Sequence, residues 1–373
     1  PGTRVASVDA FADHLVVRER HHAGTFVRVL GNDGSNRLLD VGEEVATVGL
    51  GANREYDTSS LRFHHESLRT PPSTYDEDLR TGERTLRKRQ VVRGGFDPDD
   101  YVQARLWADA LDGAQVPISL VRHRDTPVDG TAPGLLYGYG AYEISRNPRF
   151  SALRLSLLHR GFVFAIAHVR GGGECGRGWY DDGKLLAKPH TFSDFVTAAE
   201  LLITEGYVAP ERLAARGASA GGLLMGAIIN MAPHLFAAVV AEVPFVDALN
   251  TILDPSVPLT VTEWEEWGNP IESAEVYRCM NAYSPYENIT ATPYPAVLAT
   301  AGLNDPNVGY HEPAKWVARL REITTGDRPI LLKTAMGAGH GGASGRYDAW
   351  QEQAWIQAFL IDQMHAPHHA SDV

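Results

Sequence analysis

The sequence predicts an α/β fold: a mostly parallel central sheet covered by helices, preceded by an all-β segment. Three observations predict it. After about residue 100, apolar strand-like runs alternate with helix-like runs, the pattern that builds a parallel sheet. Before residue 100 there are only short strand-like pieces separated by turn signals, as in antiparallel sandwiches, barrels and propellers. Finally, Arg216-Gly217-Ala218-Ser219-Ala220-Gly221-Gly222 fits Gly-x-Ser-x-Gly at the end of a strand and the start of an apolar, helix-forming run. The expected division is residues 1–100 for the all-β part and 101–373 for the α/β part.

Composition narrows the function classes. The chain has 373 residues, 44% hydrophobic and 21% charged, with a formal net charge of −12. That balance disfavours nucleic acid as a partner and mildly favours cationic ligands. The two cysteines, Cys175 and Cys279, make no disulfide framework and share no zinc-like spacing with histidine, so neither metal nor cofactor is expected. Free thiols point to a reducing, cytoplasmic compartment. No signal peptide is visible and no run approaches the roughly 20 apolar residues of a membrane span. The first residue is Pro1 rather than Met, so an upstream segment is expected.

In chain order, the expected strands of the first part are His14–Arg20, Phe26–Leu30, Glu44–Val48, Leu61–His65, Ser73–Leu79 and Arg84–Val92. Turns fall near Gly24, at Asn32-Asp33-Gly34 and at Thr81-Gly82-Glu83. In the second part, Val116–Val121, Gly134–Gly140, Phe162–Ala167, Ala237–Val243, Tyr294–Ala301 and Ile330–Thr334 read as strands. Ser151–Arg160, Ser193–Gly206 (with Ser193 as N-cap), Pro313–Ile323 and Tyr347–Met364 read as helices, the last with Trp350, Trp355 and Phe359 on an apolar face. The tail from His365 reads as frayed.

Right-handed crossovers bring the strand C-termini to one edge, so candidate catalytic residues are sought in the loops just after strands. A serine nucleophile needs a base and a group to orient that base. Ser219 is followed in order by Asp305, after the Tyr294–Ala301 strand, and by His340, in Gly337-Ala338-Gly339-His340-Gly341-Gly342 after the Ile330–Thr334 strand. Taken singly, Asp305 also reads as a turn-capping Asp before proline, and His340 as a solvated loop histidine; order and position together favour a triad. Two oxyanion donors are needed: the Ala220 N–H at a helix start supplies one, and the Tyr139 hydroxyl in the Gly138-Tyr139-Gly140 loop is the candidate for the second, its alternative role being to pack across that loop.

These residues, with Leu136–Gly140, Val169-Arg170-Gly171-Gly172-Gly173-Glu174, Val243–Asp247, Trp264–Pro270, Tyr283–Asn288, Glu312–Ala318 and Gly339–Gly342, resemble the prolyl oligopeptidase family of serine peptidases. Within that family they are most similar to the branch that cleaves after basic residues. The resemblance runs from about Asp100 to Asp362 and implies an α/β-hydrolase domain with Ser219 as nucleophile, Asp305 as orienting acid, His340 as base and Tyr139 as oxyanion donor. It implies that residues 1–100 are the last blade or two of a β-propeller, with the remaining blades and an N-terminal segment lying outside this sequence.

By the same resemblance Glu263 and Glu265 are the carboxylates that receive a P1 Arg or Lys, Tyr142 lines that pocket, and Asn307 stands where proline-cleaving members carry a substrate-binding Arg. Without the resemblance, the acids of Glu263–Glu266 also fit a solvated helix face. The branch often places acids after the oxyanion tyrosine for a basic P2 residue. This chain has Arg146 and Arg149 there, so a weak preference for paired basic residues is expected. The expected function is hydrolysis of short basic peptides by a monomer or weak dimer. The alternatives are a proline-specific, acylaminoacyl or esterase activity on the same fold, or a folded segment without turnover.

Overall fold

The computed structural model describes residues 3–364; the tail expected to fray from His365 lies outside them. The first part forms two four-stranded antiparallel meanders. One contains β1 (Arg4–Ala10), β2 (His14–His21), β3 (Gly24–Gly31) and β4 (Asn36–Leu38). The other contains β5 (Ala46–Leu50), β6 (Ser60–Ser67), β7 (Ser73–Asp78) and β8 (Arg84–Arg89). β6 alternates strictly, with Leu61, Phe63 and His65 inward and Ser60, Arg62 and His64 outward, as a strand with one solvated face must. β1 and β4 escape the sequence reading. Their side chains are largely exposed, so they carry no continuous apolar signal.

The second part is one eight-stranded sheet in the order β16-β15-β14-β13-β11-β12-β10-β9. Its strands are β9 (Tyr101–Asp109), β10 (Gln115–His123), β11 (Gly134–Tyr137), β12 (Val163–Ala167), β13 (Leu213–Ala218), β14 (Ala238–Glu242), β15 (Ala296–Gly302) and β16 (Ile330–Ala335). β9, β10 and β12 pair antiparallel, and the rest of the sheet is parallel. β12 and β15 are buried along their whole length, which their unbroken apolar runs anticipate. β9 is missed because its half-exposed residues blur the alternation.

Nine α-helices are found among the described residues: α1 (Leu155–Leu158), α2 (Arg177–Asp181), α3 (Pro189–Thr204), α4 (Ala220–Met231), α5 (Ala248–Ile252), α6 (Thr260–Trp267), α7 (Ala274–Tyr283), α8 (His311–Ile323) and α9 (Arg346–Gln363). Three readings need correction. α3 starts at Pro189, so Ser193 is inside the helix, its Oγ donating to the His190 carbonyl at 3.1 Å instead of capping an N–H. The Ser151–Arg160 helix is a 3-10 turn (Ala152–Arg154) followed by α1; Leu157 and Leu158 are buried but Leu153 is exposed. On α9 the buried set is Ile356, Phe359 and Leu360, one helical face, while Trp350 and Trp355 are each about half exposed.

The α/β part holds the larger cores, one on each face of the eight-stranded sheet. The meanders share a smaller one around Val16, Val27, Leu61 and Phe63. A cavity of about 810 Å³ lies between the meanders and the loop at Asn147 and Arg149, away from Ser219.

Candidate active site

Ser219 sits between β13 and α4 with φ 59° and ψ −119°, a strained backbone for a residue with a side chain. The turn exists because nothing crowds it. A Cβ on Gly217 would collide with the Gly221 carbonyl, and one on Gly221 would come within 2.8 Å of the Gly138 carbonyl. The strain is shared by nearby loops: Tyr142 (φ 58°), Glu143 (φ 57°), Leu185 (φ 52°) and Val243 (φ 40°) also occupy the left-handed region.

The strand-end loops bring the three expected residues together. His340 Nε2 is 3.0 Å from Ser219 Oγ, and His340 Nδ1 is 2.8 Å from Asp305 Oδ2. The other Asp305 oxygen accepts the backbone N–H groups of Asn307 (2.8 Å) and Val308 (3.0 Å). The two readings of Asp305 are therefore both present in one side chain: it caps its turn and it orients the histidine. With its carboxylate accepting at Nδ1, the imidazole carries its proton there and offers the Nε2 lone pair to the serine.

Tyr139 is nearly buried and packs beside Gly221 and Ser219. Burial pushes its phenol pKa up, opposed by the Arg146 guanidinium, which lies 4.1 Å from the ring centroid. A phenol held protonated can donate to a developing oxyanion. The Ala220 N–H, first in α4, has no intrahelical acceptor.

A half-buried carboxylate stands beside this relay. Glu263 accepts from the Tyr142 hydroxyl at 2.9 Å and from the Trp267 indole N–H at 3.2 Å. Trp267 is fully buried and packs edge-on against Tyr142 and tilted against Phe245. Burial raises the Glu263 pKa, offset by the two hydrogen bonds; His340 is near enough to lower it further.

The structure separates the two acids paired in the sequence reading. Glu265 is exposed, because residues two apart on a helix face away from each other. Glu266, which also fitted a solvated helix face, is buried, accepting from Tyr180 Oη at 2.8 Å and paired with Lys188 Nζ at 3.4 Å. Asn307 is exposed, and its backbone N–H to Asp305 is the contact it makes to the relay. Arg146 covers Tyr139, and Arg149 is an exposed partner of Glu66 at 3.6 Å. Trp267 and Glu266 were readable from their i+4 and i+3 spacing to Glu263; Lys188 and Tyr180, distant in sequence, were not.

With this geometry in place, the comparisons are specific. Residues 148–366 match the model of the prolyl oligopeptidase family, and residues 2–90 match its N-terminal beta-propeller domain. The chain is 47% identical to dipeptidyl aminopeptidase BI of Pseudoxanthomonas mexicana, over 96% of this chain and 50% of that protein. It is 46% identical to protease 2 of Moraxella lacunata, over 95% and 51%. Among solved structures it is similar to oligopeptidase B from Trypanosoma brucei with covalently bound antipain in a closed form (TM-score 0.91, 43% identity, 99% of this chain and 53% of that one). It is also similar to oligopeptidase B from Leishmania major (TM-score 0.90, 41%, 98% and 52%). The chain spans about half the length of the curated relatives it matches.

Proposed function

We propose that this chain, which belongs to the prolyl oligopeptidase family, carries the machinery to hydrolyse short peptides on the carboxyl side of Arg or Lys. The observation that carries the reading is a half-buried carboxylate, Glu263, held by Tyr142 and Trp267 beside the Ser219–His340–Asp305 relay. A P1 guanidinium or ammonium pairs with that carboxylate while the aromatic walls cover its aliphatic stem.

The chemistry follows from the contacts. Ser219 Oγ attacks the scissile carbonyl carbon as His340 Nε2 takes its proton, and Asp305 stabilises the imidazolium through Nδ1–H. The tetrahedral oxyanion is received by Tyr139 Oη and the Ala220 N–H. Collapse breaks the C–N bond, and the proton on His340 goes to the leaving amine. Water, deprotonated by His340, then attacks the acyl-enzyme; the acid leaves and Ser219 is restored. No metal or cofactor enters these steps.

Chromogenic peptides ending in Arg, Lys or Pro test the reading, with Ser219→Ala and Glu263→Gln beside the parent chain. Arg and Lys cleavage that vanishes in Ser219→Ala and falls about a hundredfold in kcat/KM in Glu263→Gln is expected. Proline cleavage would sink the pocket assignment. The pH dependence has a definite sign. Burial raises the Glu263 pKa, so the empty pocket takes up a proton at a higher pH than an exposed carboxylate would. KM for Arg substrates therefore rises as pH falls through that value, and Glu263→Gln removes the rise. Because Arg146 and Arg149 stand after the oxyanion loop, a second basic residue at P2 gains little over Ala at P2.

A further inference from the structure

Lys188 occupies a costly position. It is 1% exposed and stands at the N-cap of α3, where the helix dipole disfavours a cation. Its ammonium is held from three directions: Nζ donates to the Gly140 carbonyl at 2.6 Å, to the Gly183 carbonyl at 3.1 Å and to Glu266 Oε1 at 3.4 Å. These saturate its three donors. Each partner leads to a different part of the site. Gly140 directly follows Tyr139, and its φ of +75° fixes the loop's bend. Glu266 is one turn along α6 from Glu263, and its other oxygen is held by Tyr180 from α2. The ammonium also lies 4.8 Å from the ring centroid of Trp267, the residue that grips Glu263.

We propose that Lys188 is a positioning residue that sets the spacing between the oxyanion hole at Tyr139 and the P1-cation carboxylate at Glu263, and so the register between the scissile carbonyl and a basic side chain. The inference rests on the proposed function. Lys188 reaches no reacting atom. It acts by pulling one loop carbonyl and one helix carboxylate onto a single buried point, behind the wall of the pocket. Glu266 neutralises it there, which keeps a second positive charge from facing a P1 cation across Trp267.

Desolvation, opposed by Glu266, lowers the Lys188 pKa to about 8. The groups facing it from the surrounding elements are Glu266 on α6, the Tyr180 phenol that donates to Glu266, and, beyond Trp267, Glu263. As pH rises through that value the ammonium loses a donor and its charge, the carbonyl tie slackens and turnover falls. In the same window the unfolded chain binds more protons at this lysine than the folded one, so its contribution to stability rises with pH. Loss of activity and loss of stability therefore run in opposite directions for this group.

The test compares Lys188→Met, Lys188→Arg and Glu266→Gln with the parent chain, reading kcat, KM and labelling of Ser219 by a fluorophosphonate from pH 6 to 10. Lys188→Met is expected to lower kcat/KM for Arg peptides about a hundredfold, chiefly in kcat, the scale of a 1 Å misplacement. Lys188→Arg, which cannot deprotonate, recovers activity and abolishes the alkaline decline; Glu266→Gln shifts that decline to lower pH. A Lys188→Met chain with a lowered Tm but unchanged kcat, KM and pH profile would overturn the proposal. If the arginine variant does not fold, the direction of the Glu266→Gln shift decides alone, and no shift or an upward one overturns it. Should the parent chain label but cleave no Arg peptide, the proposed function fails, while the labelling profile still tests the tie.

Discussion

The meanders of residues 4–89 and the sheet of residues 101–335 are both β structure, yet they are held together differently. In the eight-stranded sheet, β12 and β15 are buried end to end and packed on both faces. In the second meander, β8 has every residue exposed, and carboxylates on β7 gather arginines. Asp76 receives Arg62 at 2.7 and 2.8 Å and Arg87 at 2.8 Å, and Glu77 receives Arg37 at 2.7 Å and Arg84 at 2.5 Å. One region is stabilised by apolar burial; the other adds to its smaller apolar core buried carboxylates gripped by partly exposed arginines. Strain is also unevenly placed: of the seven non-glycine residues with positive φ among the described residues, five, namely Tyr142, Glu143, Leu185, Ser219 and Val243, lie in the loops of the α/β part, and His22 and Ala23 make a hairpin turn. A rigid apolar sheet can hold strained loops at its edge, and the catalytic geometry uses that capacity.

Four measurements sharpen or break this contrast. The largest effect is expected from Ser219→Gly, which lowers hydrolysis by about 10⁴-fold or more. The same change relieves the positive φ and raises stability by about 1 kcal/mol. A fall in stability would show that the turn is not strained. Next, Leu298→Ala, in the middle of β15, costs about 3 kcal/mol in denaturant unfolding, whereas Leu86→Ala on β8 stays within about 0.5 kcal/mol; equal costs would erase the contrast. Third, Asp76→Asn costs about 1 kcal/mol, and less in high salt. The arginines, Arg62 foremost, lower the Asp76 pKa from 3.8 to about 2. Its contribution is therefore complete above the unfolded pKa and is lost as pH falls from about 4 to about 2, so the meanders should loosen before the α/β part on acidification. All seven tryptophans lie in the α/β part, so their fluorescence follows that part, and a change in circular dichroism that precedes the fluorescence change would report the meanders. Smallest, Glu265→Gln changes KM for Arg peptides by less than about twofold, as for an exposed residue. A loss comparable to that of Glu263→Gln would restore the paired-acid reading.

The legibility of the sequence follows the same division. Strands buried on both faces announce themselves as apolar runs, and β12, β14 and β15 lie within a residue or two of their expected bounds. Strands with exposed faces, such as β1, β4 and β9, leave little periodicity to read. Near the site, the glycines that the Ser219 turn requires are visible as residues, and the order Ser219, Asp305, His340 is enough to nominate a relay. The structure separates Glu263 from Glu265 for a helical reason: once α6 forms, 263, 266 and 267 share a side and 265 does not.

By itself, then, the sequence determined the nucleophile turn, the order of the relay residues and the alternation that makes a parallel sheet, because each is encoded in neighbouring residues or in periodicity. The fold decided that Tyr142 holds Glu263 beside the relay, that Tyr180 holds Glu266, and that Lys188 joins Gly140 to Glu266. Those pairings connect residues as far apart as 121 positions along the chain. Their geometry exists only after the sheet has brought their loops to one edge.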